Sequence, residues 1–160
     1  MSDAATETCS INDLLTRFFQ AFDDKNWPML RECLCDEVFT DYSAFRGVPA
    51  STISGDAYVD QRRSALYSLD MQHNFLNLRV EWNAAAESNT AAARCNYIVH
   101  RFHPSFDGSN DQYFHSYGHY VFGFAKISGV WRISSIVQHL LRNEGNREIH
   151  GATRARENTN

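Results

Sequence analysis

The chain has 160 residues, a formal net charge of −4 and 43% hydrophobic residues, which suits one globular domain with a buried core. The acidic balance gives no electrostatic support for nucleic-acid binding, and no apolar run is long enough to cross a membrane. The first ten residues lack the basic and apolar regions of a signal peptide. Because the four cysteines also form no Cys-x-x-Cys pair, we expect a cytoplasmic protein with reduced thiols.

The first helix is predicted to begin after a disordered lead at residues 1–10. Ser10 and Asp13 have the spacing of a capping box. Apolar residues then recur at spacings of three and four, which places them on one face of a helix. These residues are Ile11, Leu14, Leu15, Phe18, Phe19 and Phe22.

The later elements change from helical spacing to strand spacing. Pro28 begins a second short helix, residues 37–45 form a strand, and residues 54–70 form a third helix. From about residue 73 the apolar period becomes two. Strands are predicted at 74–82, 91–103, 112–126 and 130–141, with connections at 83–90, 103–111 and 127–129. Helices followed by an antiparallel meander indicate an α+β fold, with helices packed on one face of a curved sheet.

The strand at 74–82 predicts an interface. Alternation places His73 on the more polar face and four apolar side chains on the other: Leu76, Leu78, Val80 and Trp82. One sheet face would cover the helices, so the other would need a partner. A homodimer through the outer sheet face is therefore expected.

The seven histidines raise the question of a metal site. His115 and His119 have the i, i+4 spacing that brings two imidazoles together on a helix, but they lie on a predicted strand, about 13 Å apart. The sequence therefore predicts no metal centre. It also has no Gly-rich phosphate loop, and no cofactor is expected.

A carboxylate–imidazole pair is better supported than a metal. Asp23 and Asp24 end the first helix, where the negative end of the macrodipole disfavours an unpaired carboxylate. His73 begins a strand that must pack against this helix, and a hydrogen bond to an Asp would orient its ring and raise its basicity. Tyr42 and His100 would complete a set for proton abstraction beside a carbonyl. The alternative is that the acids are solvated and that His73, Tyr42 and His100 are ordinary hydrogen-bonded residues.

Four segments resemble the SnoaL-like branch of the nuclear-transport-factor-two-like superfamily, and within it most of all scytalone dehydratase. They are FDDKNW, TDYSAF, MQHNF and GHYVFGFAKISGVWRIS. Similar arrangements occur in bile-acid 7α-dehydratase and hexachlorocyclohexane dehydrochlorinase. The resemblance covers roughly residues 11–147 and leaves 148–160 as a flexible tail. It implies a cone-shaped antiparallel sheet around the helices, a deep pocket, and dimers or trimers formed through the sheet.

The resemblance also implies roles for individual residues. Asp23 and His73 match the family's Asp–His dyad, with Asp24 as the alternative acid. Tyr42 matches a tyrosine that holds a water against the substrate carbonyl in scytalone dehydratase. His100 matches a second pocket histidine.

Two positions depart from the scytalone dehydratase pattern. Phe22 stands where that enzyme has a tyrosine before the dyad Asp, and Tyr120 stands in place of a substrate-contacting Asn. Scytalone itself is therefore not the expected substrate. Phe18, Phe19 and Phe22 are expected in the pocket wall.

The function predicted on these grounds is a cofactor-independent lyase of the dehydratase type, acting on a small, largely apolar, oxygenated molecule. His73 would remove a proton beside a carbonyl, Tyr42 would stabilise the enolate, and His100 or Tyr120 would assist the leaving hydroxyl. An isomerase or polyketide cyclase using the same dyad stays open. So does a non-catalytic binding module, which the loss of the second tyrosine favours.

Overall fold

The protein is a mixed α+β structure in which helices pack against one curved, unclosed sheet. The computed structural model describes residues 4–82 and 89–150. Within these residues the helices are α1 (Ala4–Asp23), α2 (Trp27–Glu32), α3 (Ser43–Arg46) and α4 (Gly55–Leu66), followed at the end by a 3₁₀ helix (Arg147–Ile149). The strands are β1 (Leu34–Asp41), β2 (Ser51–Ser54), β3 (Asp70–Trp82), β4 (Thr90–Phe102), β5 (Phe114–Ile127) and β6 (Val130–Gly145).

The predicted fold class is confirmed. The strand order is β2-β1-β6-β5-β4-β3, and strands β3 to β6 form the predicted antiparallel meander. The pairing of β1 with β6 is parallel, which the sequence did not predict. Such a pair needs a long connection, and here two helices (α3 and α4) and four strands (β2 to β5) separate the two partners in the chain.

Helix α1 begins at Ala4, so the prediction of a disordered lead and a helix start at Ser10 is wrong for the described part of that segment. The Ser10 hydroxyl donates to the carbonyl of Thr6 inside the helix instead of capping it. A tertiary contact anchors this first turn, because Lys126 of β5 donates to Glu7 at 2.6 Å. The sequence gives no sign of a partner 119 positions away.

A β-bulge at Asn77 reverses the predicted faces of β3. Asn77 has a φ of 56°, and the register with β4 shifts between Leu76 and Arg79. One extra residue moves the following side chains to the other face. Leu78 and Val80 therefore pack against the core, as His73 and Phe75 do before the bulge. The prediction that Leu78, Val80 and Trp82 lie with Leu76 on the outer face is wrong.

The connections agree with the sequence where they can be compared. Ser128 and Gly129 have φ values of 51° and 82°, as a two-residue type I′ hairpin requires. The predicted connection at 83–90 lies largely outside the described residues, as do 1–3 and 151–160. Ile149 packs against the core, so the ordered chain continues past the predicted boundary at 147.

The cysteines are unbonded thiols. Cys33, Cys35 and Cys95 are buried and Cys9 is exposed. Burial raises the pKa of Cys33 to about 11 and the pKa of Cys95 to about 12, so both stay protonated at neutral pH. In the described residues, no helix has the length and apolarity needed to span a membrane.

Candidate active site

The end of α1 and the start of β3 bring Asp23 and His73 together from positions 50 residues apart. The Nδ1 atom of His73 lies 2.6 Å from Oδ1 of Asp23, and the backbone N–H of His73 donates to both carboxylate oxygens at 3.0 Å. Because a carboxylate only accepts, we assign the ring hydrogen to Nδ1, which leaves Nε2 to accept a proton. Asp24 is exposed, so Asp23 is the acid that meets the imidazole.

The surroundings of His73 keep the imidazole neutral. Its side chain is 6% exposed and lies against the rings of Phe19 and Phe22, with centroids 5.9 and 5.1 Å away. Burial lowers the pKa of His73, Asp23 opposes that shift, and the charge of Arg101 adds to it. The net direction is downward. A neutral imidazole held by a carboxylate is the form that a general base needs.

Two phenols meet beside this pair. Strand β1 ends at Asp41, so Tyr42 is not on the strand as predicted but precedes α3, and its side chain turns inward. Its hydroxyl lies 2.7 Å from the hydroxyl of Tyr58 on α4. Burial raises the pKa of Tyr58 well above its ordinary value, so this phenol stays protonated. Sequence reasoning missed Tyr58, although its spacing of four from Arg62 and eight from Leu66 marks the buried face of α4.

Tyr120 supplies a further hydroxyl from β5. Its oxygen accepts a hydrogen bond from Nε2 of Gln138 at 3.0 Å, which leaves its own O–H to donate. Burial raises the pKa of Tyr120 well above its ordinary value. The phenol is therefore a fixed, protonated donor. Gln138 is another site residue that sequence reasoning missed.

The prediction placed His100 in this pocket, and the structure does not bring it there. His100 lies on the opposite face of β4, with its ring 4.6 Å from that of His115. The next residue, Arg101, is the one that points inward, because side chains alternate along a strand. The signal was readable in the sequence, since Arg101 continues the inward series of Tyr97 and Val99.

Two cavities meet at this end of the sheet. The inner one has a volume of about 30 Å³, which is room for about one or two water molecules. An outer cleft of about 570 Å³ has the size of a small-molecule site. Tyr42, Arg46 and Arg62 line both, so they separate the cleft from the interior. The predicted site residues that line the inner cavity are Phe18, Phe19, Phe22, Tyr42, His73 and Tyr120.

A known protein family matches most of the chain. The SnoaL-like domain family matches residues 3–137 of the chain. The chain belongs to this family. No curated protein matches the SnoaL-like chain in sequence.

Solved structures share the fold of this SnoaL-like domain at low sequence identity. Kfla4162 from Kribbella flavida is 20% identical with a TM-score of 0.80, over 89% of this chain and 95% of that one. Hexachlorocyclohexane dehydrochlorinase LinA-type3 from Novosphingobium barchaimii LL02 is 15% identical with a TM-score of 0.72, over 91% and 94%. A candidate scytalone dehydratase from Novosphingobium aromaticivorans DSM 12444 is 14% identical with a TM-score of 0.72, over 89% and 93%.

His150, which follows the 3₁₀ helix, lies in the same region. Its ring lies 5.4 Å from that of Phe45 and lines the inner cavity. Burial lowers the pKa of His150 to about 2, and the charges of Arg101, Arg46 and Arg62 add to that shift. The imidazole is therefore neutral in the folded domain.

This burial predicts acid sensitivity. An unfolded histidine takes up a proton near pH 6.5, whereas folded His150 does so only near pH 2, so stability falls as the pH drops between these values. His150→Phe should make the fall shallower, as measured by urea unfolding at pH 7, 5.5 and 4. His103→Phe, at an exposed position, is the control and should keep the wild-type slope. Equal slopes for wild type and His150→Phe would contradict the expectation.

Proposed function

We propose that the protein is a cofactor-independent lyase that removes a proton from the carbon beside a carbonyl and expels a β-hydroxyl as water. The observation that carries this proposal is the 2.6 Å contact between Nδ1 of His73 and Asp23, at the wall of a cavity. A buried, neutral imidazole with one nitrogen held by a carboxylate has its other nitrogen available as a base.

The reaction divides into two steps. Nε2 of His73 takes the proton, and the C–H electron pair forms an enolate, while Asp23 stabilises the imidazolium that results. The Tyr42–Tyr58 pair donates a hydrogen bond to the enolate oxygen. The enolate then reforms the carbonyl and a carbon–carbon double bond, and the β-hydroxyl leaves as water. Its proton comes from the His73 imidazolium, or from Tyr120, whose proton the imidazolium then replaces. Proton transfer contributes on the order of 10²–10⁴ in rate and an oxyanion donor on the order of 10²–10³.

The similar solved structures support an elimination. A hexachlorocyclohexane dehydrochlorinase and a candidate scytalone dehydratase share this fold, and both names describe eliminations. An isomerase or polyketide cyclase would begin with the same proton abstraction. A module that only binds its ligand is the second candidate function, and the observation in its favour is the inner cavity of about 30 Å³, too small for a substrate without movement of the wall.

Deuterium exchange tests the proposal. The protein would be incubated in D₂O with a panel of β-hydroxy ketones, and NMR would follow exchange at the α-carbon and formation of the enone. The lyase gives both signals, and an isomerase or cyclase gives exchange without the enone. His73→Gln should abolish exchange. Saturable binding of a panel member without exchange would overturn the proposal in favour of the binding module.

Removal of the Tyr42 hydroxyl should have a moderate effect. Tyr42→Phe is expected to lower the exchange rate roughly tenfold, less than the 10²–10³ typical of a lost oxyanion donor, because Tyr58 and water remain as donors. Steady-state rates of deuterium exchange for wild type and Tyr42→Phe measure this decrease. Tyr67→Phe, at an exposed phenol on the end of α4, is the control and should leave the rate unchanged. A full loss of exchange in Tyr42→Phe would mean that the phenol pair has another role.

We also propose that the protein is a homo-oligomer formed through the outer sheet face. Of the apolar residues predicted for that interface, Leu76 lies there and is 46% exposed. Leu76→Asp should convert the oligomer to monomer in sedimentation at micromolar concentration, because a carboxylate would be buried unpaired in the interface. Tyr67→Asp, at the exposed residue directly after α4, is the control. A monomeric wild type would contradict this proposal.

A further inference from the structure

Three arginines converge on the inner cavity. Arg62 comes from α4, Arg101 from β4 and Arg46 from α3, and all three line it. Arg62 is 5% exposed and Arg101 4% exposed. Buried arginines are ordinarily paired with carboxylates, so this burial calls for a partner.

No carboxylate meets these guanidinium groups within residues 4–82 and 89–150. The side chains of Arg46 and Arg62 make no ion pair in this part of the chain, and Arg101 donates one hydrogen bond to the neutral hydroxyl of Ser116. The Nε atoms of all three arginines are buried without a hydrogen-bond partner. Three N–H donors beside the inner cavity therefore have no acceptor among the described residues.

Aromatic rings hold the guanidinium groups and leave their edges free. Arg62 lies 4.5 Å over the Tyr42 ring and 4.7 Å over the Tyr58 ring, and Arg46 lies 5.4 Å over the Tyr42 ring. A cation–π contact uses no hydrogen-bond acceptor, so the buried Nε donors stay unpaired. They are therefore held in place for an acceptor that the described residues do not provide.

The positive charges of these arginines indicate that the acceptor is an anion. Burial lowers the pKa of Arg46 and of Arg101 to about 10, so both remain cationic at neutral pH. Arg62 and Arg101 are the two charged residues that are buried in the described part of the chain. A buried cluster of like charge is unfavourable unless a counter-ion offsets it.

We propose that this cluster binds the carboxylate of the substrate, so that the protein acts on an organic acid and not on a neutral, largely apolar molecule. Arg46 and Arg62 line both the outer cleft and the inner cavity, which makes them the anchor for a ligand that reaches from one to the other. A planar carboxylate fits the guanidinium fork in two parallel hydrogen bonds. The donors here are side chains alone, without the Gly-rich loop that a phosphate site commonly uses.

This assignment rests on the proposed function, and it names the substrate class for the same site. With the carboxylate at Arg46 and Arg62, the reacting carbon lies inward, towards His73. Arg101 lies deeper, within electrostatic reach of His73. The substrate class is then a β-hydroxy ketone that also carries a carboxylate.

Binding of matched probes tests the inference without turnover. Benzoate and benzamide have the same ring and nearly the same shape, but only benzoate is an anion. Titration calorimetry in chloride-free buffer should give a dissociation constant at least tenfold lower for benzoate. Phenyl phosphate is the third probe and should bind more weakly than benzoate. Equal affinities for benzoate and benzamide would overturn the inference, and so would tighter binding of phenyl phosphate.

Arginine variants locate the site. Arg62→Gln and Arg46→Gln should each lower the affinity for benzoate at least tenfold. The affinity for benzamide should stay unchanged. Arg63→Gln is the matched control, because Arg63 is the next residue of α4 and is exposed. Circular dichroism checks folding, and Arg46→Gln, at a less buried position, keeps the test valid if Arg62→Gln does not fold. A benzoate preference that survives the folded variants overturns the inference.

The two proposals can fail separately. His73→Gln should keep the benzoate preference, because the arginines are intact, while it loses deuterium exchange. A wild type that prefers benzoate but exchanges no substrate would contradict the lyase alone. A wild type that exchanges neutral β-hydroxy ketones and shows no benzoate preference would contradict the organic-acid assignment alone.

Discussion

Asp23→Asn should lower the rate of α-carbon deuterium exchange by about 10²–10⁴-fold while the protein stays folded. The amide can still accept from Nδ1 of His73 and so can orient the ring, but it cannot stabilise the imidazolium that forms when Nε2 takes the proton. Exchange rates at substrate saturation and the thermal unfolding midpoint would be measured together. The expected result is a large loss of rate with a small change in the midpoint.

The pH profile separates a role in proton transfer from a structural one. Only neutral His73 is active, so the rate falls on the acid side of its pKa, which burial already lowers. Asp23 raises that pKa, so Asp23→Asn should move the acid limb to lower pH while the plateau drops. A purely structural defect would lower the maximum rate and leave the pH at which the rate falls unchanged.

Asp24→Asn is the matched control. Asp24 is the next residue of the chain, carries the same side chain and is exposed. Its rate and its acid limb should equal those of wild type. Equal damage from Asp23→Asn and Asp24→Asn, or an unshifted limb in Asp23→Asn, would contradict the assigned base.

The pairing of Asp23 with His73 could be predicted because local rules pointed to it. A carboxylate at the end of a helix needs a partner, and a strand that packs on that helix begins with an imidazole. Asp23 is the last residue of α1, and His73 precedes the β3 bulge at Asn77, so the extra residue does not change the face on which the imidazole lies. The choice between Asp23 and Asp24 needed the structure, because one residue turns the side chain by about 100° around the helix axis.

Residues inside the strands were predicted less well because one residue decides the face. The extra residue at Asn77 places Leu78 and Val80 on the core face instead of the predicted outer face. The neighbouring residues, two leucines, do not predict a bulge at this Asn. The choice of His100 over Arg101 had a different origin. His100 was predicted because it matches a second pocket histidine in the family resemblance, whereas the alternation of β4 places Arg101 on the buried face with Tyr97 and Val99.

Other long-range contacts could not be predicted from the sequence. The phenol pair joins Tyr42, just before α3, to Tyr58 on α4, and the helix start at Ala4 is held by a contact from Glu7 to β5. Neither follows from spacing, because each depends on how separate elements dock. The site therefore combines a pair that local rules could find with arginines and phenols that only the fold brings together.

Gly118→Ala is expected to cost more stability than any other substitution considered for this protein, roughly 3–5 kcal/mol. A methyl group at Gly118 would lie 2.0 Å from the carbonyl oxygen of His139 and 2.9 Å from the Tyr97 ring. The nearer clash is with backbone, so no side-chain rotation relieves it. The β5–β6 ladder would have to open beside its bulge between Tyr117 and Gly118. Urea unfolding at pH 7 measures the free energy of unfolding.

The controls follow from the same geometry. Gly123→Ala lies on the same strand, and its methyl group would meet Ser135 Cβ at 3.0 Å, so its cost should stay near 1 kcal/mol. Tyr97→Phe should not rescue Gly118→Ala, because it leaves the backbone contact in place. The Tyr97 ring lies 4.6 Å from that of Tyr120, so any folded Gly118→Ala protein should also lose exchange activity as Tyr120 is displaced. A stable Gly118→Ala protein with wild-type activity would contradict both the packing and the role given to Tyr120.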